Sequence, residues 1–168
     1  SRRRLQLTIS ETRPTIAPPL SKKSIQHLTM PRFTDEIKPL LNQAFLDLQS
    51  AWPDCECYKG APRTEVQGNF ATLEIDAVPS EFASVRRVQM AVSFRITGYF
   101  EILEGENVEE ARIERLDALV SVFEASETYY DLANNPMITN AEFPNLEEQD
   151  MYAVQATFSC LSEGAWSN

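Results

Sequence analysis

Apolar residues recur along this chain with two periods, and the changes between them mark its elements. From Thr34 the period is helical: Ile37, Leu40, Leu41, Ala44, Phe45 and Leu48 share one face. Thr34 is placed to cap this helix, and Asp35 and Glu36 suit the positive end of its dipole. Pro39 predicts a distorted first turn and Trp52-Pro53 its close. The period then becomes two. Ala71, Leu73, Ile75 and Ala77 alternate with Phe70, Thr72, Glu74 and Asp76, and a longer run alternates Val88, Met90, Val92, Phe94 and Ile96 with polar or small residues. A short turn over 79–84 makes these two strands an antiparallel hairpin, with Glu74 and Asp76 available to pair with Arg87 and Arg95.

The helical period returns after Asn107, which with Glu110 three residues later resembles a capping box. Ile113, Leu116, Leu119, Val120 and Phe123 form the expected buried stripe of a helix over 108–125, with Glu109, Glu110, Arg112, Glu114, Arg115 and Asp117 on the wet side. An Asn134-Asn135-Pro136 turn then leads to two strands, 137–143 and 151–160. The second sets Tyr152, Val154, Ala156, Phe158 and Cys160 on one face. A small further strand is possible over Thr64 to Gln67. The reading is an α+β domain of order α-β-β-α-β-β, with a mainly antiparallel sheet, a long hairpin and both helices on one face.

Pro14, Pro18, Pro19 and Pro31 interrupt residues 1–32, which predict an extended, flexible arm ahead of a single domain over 33–168. Met30-Pro31-Arg32-Phe33 also reads as a start. Charge separates the two parts: the arm carries seven Lys/Arg against Glu11, a net +6, whereas the remainder carries eight basic and twenty-four acidic residues, a net −16. An acidic body repels phosphate, which argues against a nucleic-acid-binding domain and leaves Arg2, Arg3 and Arg4 as the strongest local positive charge. No apolar run approaches the length of a membrane span or a secretory signal.

Catalytic chemistry finds little support. The sole histidine, His27, lies in the arm. Cys55, Cys57 and Cys160 lack metal-site spacing and read as reduced thiols of a cytoplasmic protein. The five glycines are scattered, so no phosphate-cradling loop assembles, and no cofactor or metal is expected. Carboxylates cluster at Glu101, Glu104, Glu106, Glu109, Glu110 and at Glu147, Glu148, Asp150; solvated loops and helix ends account for them. Trp52, Tyr129 and Tyr130 suit packing as well as partner contacts, and Trp166 in the C-terminal tail suits a partner.

The opening helix Thr34-Asp35-Glu36-Ile37-Lys38-Pro39-Leu40-Leu41, the long strand Val85 to Phe94, the helix from Val108 to Ala125, and Ala141-Glu142-Phe143-Pro144 preceding Tyr152 to Phe158 together resemble the bacteriophage tail-terminator, or tail-completion, proteins. The resemblance covers about Phe33 to Ser162 and is architectural. The basic arm departs from the compact family pattern. What it implies is a non-enzymatic virion protein, assembled in the host cytoplasm. A hexameric ring would cap the tail tube, join it to the head or neck connector, and pass DNA without sequence-specific contacts. It further implies partner contacts at Arg2, Arg3, Arg4, Phe82, Arg86, Arg87 and Trp166, and acidic channel-facing groups at Glu81, Glu104, Glu106, Glu147 and Glu148. Two alternatives are another head-to-tail joining protein, such as a stopper, and a small α+β ligand-binding or enzyme domain with the acidic loops as its site.

Overall fold

The structure, a computed structural model, describes residues 33–78, 80–84, 87–147 and 150–165. A π-helical turn, Phe33–Ile37, runs into helix α1, Lys38–Ala51. Pro39 has no N–H to return to the carbonyl of residue 35, so a regular α-ladder cannot run through this turn. No side chain caps α1, so Thr34 does not play the role its position suggests. The expected stripe is inward: Ile37, Leu40, Ala44 and Leu48 are buried, with Leu41 and Phe45 packed beside them. Trp52 closes the helix by donating its N–H to the carbonyl of Leu48.

Strands β1 (Glu56–Lys59), β2 (Phe70–Ala77), β3 (Ser80–Ser84) and β4 (Arg87–Glu101) precede helix α2 (Val108–Phe123). Strands β5 (Thr128–Tyr129), β6 (Ala133–Glu142) and β7 (Met151–Ala165) follow it. The fold is α+β. Its sheet runs β1-β2-β4-β7-β6-β5, and β3 also pairs with β4. All described pairings are antiparallel except β1 with β2. Strands β4 and β7 form its spine, paired from Arg87↔Ala165 to Glu101↔Met151.

The helix-facing side of the spine is the core. Met90, Val92, Phe94, Ile96 and Phe100 of β4 meet Tyr152, Val154, Ala156, Phe158 and Cys160 of β7, all buried. Phe94 stacks on Phe158, Phe100 on Tyr152, and Phe123 of α2 leans on Phe158 with centroids 4.7 Å apart. Gly98 lies on this side because nothing larger fits: a Cβ there would lie 2.6 Å from both Trp52 and Phe100.

Several sequence expectations need correction. The stretch over 79–84 is not a turn, because Ser80–Ser84 is β3 and Ser84 pairs with Arg87. Strand β2 therefore continues, past a register shift at Ile75/Ala77, along the same side of β4. Beyond that shift the helix-side pattern fails, and Ile75 and Ala77 are exposed. The additional strand lies at Glu56–Lys59 and not at 64–67. Asn134-Asn135-Pro136 is an irregularity inside β6, with Asn135 at φ 53, a conformation that Asn tolerates. Asn107 accepts the N–H of Glu110 at 3.1 Å, so the expected cap is present. The buried residues of α2 are Ala111, Leu119 and Phe123, with Leu116 packed beside them and half-buried Arg115 in the same i, i+4 row, while Ile113 and Val120 are exposed.

Candidate functional site

Among the described residues no helix covers the side of the sheet away from α1 and α2, although Thr72 and Thr97 on it are buried. Phe70 and Tyr99, neighbours in register, stack with centroids 4.6 Å apart. Beside them Thr72, Glu74, Arg95, Thr97 and Gln155 line a shallow depression rimmed by Ala61 and Pro62 of the β1–β2 loop. The Thr97 hydroxyl donates to Gln155 Oε1 at 3.4 Å, and Arg95 is neutralised by Asp76 at 2.6 Å, the cross-strand pairing expected from sequence. Two of these groups, Thr97 and Arg95, thus have polar partners within the sheet. Among the described residues, the depression holds no unpaired buried nucleophile or base.

The edges differ in length. On one edge β5, turned through Tyr130 and Asp131 at φ 50 and 60, covers only Ala133 and Asn134 of β6, and farther along the Ile138 N–H donates to Glu124 Oε2 at 2.7 Å. A bulky aromatic residue resists a positive φ, and Tyr130 holds it while donating its hydroxyl to Asp47 Oδ1 at 2.9 Å. On the other edge β1 pairs only with Phe70 to Leu73. Among the described residues, no strand lies outside Glu74–Ala77 or outside β3.

Polar groups between the layers are structural. Asp47, 4% exposed on α1, accepts hydrogen bonds from Tyr129, Tyr130 and Gln43. Burial and the Asp47 carboxylate push the Tyr129 phenol far above its ordinary range. Arg115, placed on the wet side by sequence, reaches out from the inward row. Its guanidinium lies 4.0 Å from the Phe100 centroid and donates to both Asp54 oxygens at 2.8 and 2.7 Å. Its carbonyl accepts from Trp52 Nε1 at 3.0 Å. Burial opposes the charge on Arg115, yet its bonds to Asp54 and Tyr152 keep its pKa above the ordinary value. Asp54 is held below the carboxylate range, chiefly by the Arg115 hydrogen bond.

Desolvation raises all three thiols, Cys55 to about 12, Cys57 to about 11 and Cys160 to about 12, so none is a ready nucleophile at neutral pH. Among the described residues, no group of three or more His, Cys, Asp or Glu is placed to hold a metal ion. Among them, no helix is long and apolar enough to cross a membrane.

The assembly residues suggested by sequence fall into separate places. Arg2, Arg3, Arg4, Arg86, Glu148 and Trp166 lie outside the described residues. Glu81 and Phe82 lie in β3 and Arg87 opens β4, with only their backbone described. Exposed Glu104 lies at the far end of β4, and Glu106 accepts the N–H of Leu103 at 2.9 Å within its own turn. Glu147 belongs to the β6–β7 connection, which is tied to that same end where Ile102 N–H donates to the carbonyl of Asp150. The structure thus sets Glu104, Glu106 and Glu147 at one end of the spine and Glu81, Phe82 and Arg87 at the other. Sequence reasoning missed Arg115 and the free edge of β2 and β3. An i, i+4 row through Ala111, Leu119 and Phe123 was the available signal for the first.

No family model matches the chain, and no curated protein matches it. Among solved structures it is similar to a chain of one titled "Virion of native gene transfer agent (GTA) particle", at 16% identity and a TM-score of 0.45, over 70% of this chain and 84% of that one. At that identity and overlap the likeness assigns neither a family nor a role.

Proposed function

We propose that this chain is a structural, non-enzymatic virion protein of the tail-terminator kind. It forms a ring that caps a tail tube, joins it to the neck and passes DNA through its centre. The observation that carries this reading is the sheet face away from the helices. One side of the sheet is sealed by two helices, while the other presents Thr72, Thr97, Gln155 and a neutralised Arg95–Asp76 pair. Turned toward a channel, such a face offers a passing duplex, among the described residues, only the paired Arg95 as a cation, and a net charge of −16 over residues 33–168 adds repulsion. Closed cyclic assembly would also cover sheet edges that a lone copy leaves open. In this reading Arg2, Arg3 and Arg4 grip a neighbouring subunit or neck protein.

The test is the mass of the full chain in solution together with negative-stain images. A ring of six has about six times the 19.0 kDa chain mass and a visible central hole. A monodisperse monomer at micromolar concentration would sink the proposal.

A further inference from the structure

The free edge of β2 and β3 has a matching strand in the chain's own sequence. Among the described residues, Glu74–Ala77 and Ser80–Ser84 have β4 on one side and no strand on the other. Native sheets seldom leave so long a backbone edge uncovered, because its N–H and C=O groups are a template for another strand. Ile75 on this edge is 52% exposed.

Ahead of Phe33 lies a segment with the right period. Leu5, Leu7 and Ile9 alternate with Gln6, Thr8 and Ser10, directly after Arg2, Arg3 and Arg4. Paired along the edge, its apolar face would cover Ile75, and Arg4 would face the carboxylate of Glu74.

Helix α1 sets where that segment joins the described residues. Lys59 donates to Asn42 at 2.6 Å and stands level with Leu73, while Trp52 packs at Gly98 and Phe100. Phe33 lies at the other end of this helical segment from Trp52. The stretch over 11–32 spans up to about 70 Å when extended, and Pro14, Pro18, Pro19 and Pro31 favour extension. Such a reach lets the segment pass to another copy.

We infer that residues 4–10 of one copy add as a strand to the β2–β3 edge of a neighbouring copy. This rests on the self-assembly in the proposed function and names the contact that would link the copies. Backbone hydrogen bonds would supply the affinity and the alternating side chains the register.

The experiment is hydrogen exchange on the full chain, on a variant lacking residues 1–10, and on Leu7→Pro, which removes one pairing N–H of the added strand. Amides within 74–77 and 80–84 should exchange about tenfold faster in both variants than in the full chain. In a mixture of isotope-labelled shortened chains with unlabelled full chains, the shortened copies should regain that protection. Equal exchange in all three proteins overturns strand addition, and failure of the mixture to protect the shortened copies overturns its passage between copies. The solution mass of the full chain, read separately, reports whether the ring itself stands.

Discussion

Replacing Gly98 by alanine tests the packing that fixes α1 and α2 on one side of the sheet. In register Gly98 lies between Ala71 and Val154, and a Cβ there would meet Trp52 and Phe100 at 2.6 Å. Both rings would have to retreat by about 1 Å to reach ordinary contact. Neither is free to do so. Trp52 is fully buried and bonded through its indole N–H to Arg115, while Phe100 is held edge-on against Trp52, stacked on Tyr152 and covered by the Arg115 guanidinium. Overpacking of this kind costs about 2–3 kcal/mol. Alanine recovers about 0.5–1 kcal/mol as the better strand residue. The clash wins by about 1–2 kcal/mol, which lowers the melting temperature of a domain this size by about 3–8 °C. Urea unfolding of Gly98→Ala, Phe100→Leu and the double variant measures this. Shrinking the ring should make the double variant more stable than the sum of the single effects by about 1 kcal/mol. A Gly98→Ala protein within about 0.5 kcal/mol of the parent, or strict additivity in the cycle, would refute the reasoning.

Asp47→Ala should cost about 2–3 kcal/mol in urea unfolding because it strips the Tyr129 hydroxyl of its acceptor, and Asp47→Asn should cost visibly less. Asp54 gains its partner on folding and its pKa falls, so its contribution is present above the unfolded value of 3.8 and is lost as pH drops through the lower folded value. Asp54→Asn should therefore flatten the fall of the urea midpoint with acid below about pH 4. The raised thiol pKa values predict slow alkylation by iodoacetamide at pH 7.5. By intact mass, Cys55 and Cys57 should lag a free thiol and Cys160 should react only on unfolding.

The sequence by itself determined what depends on local period and chain chemistry. Both helices, the spine strands and their inward residues were legible because amphipathic alternation is forced wherever one face is buried. The cap at Asn107 was legible because Asn offers an acceptor to an orphan N–H. Tertiary structure decided what depends on which surfaces meet. The i, i+4 row puts Arg115 on the inward face of α2, but its partners, Phe100 of β4 and Trp52 and Asp54 after α1, come from elsewhere in the chain and no helical period encodes them. Ile75, Ile113 and Val120 fit an apolar stripe but remain exposed, since a helix buries only the row that its crossing angle presents and a strand only the length that the helices cover. The β1 pairing, the two-residue β5 and the free β2–β3 edge were equally invisible, because pairing joins residues far apart in the chain and an edge is defined by the neighbour it lacks.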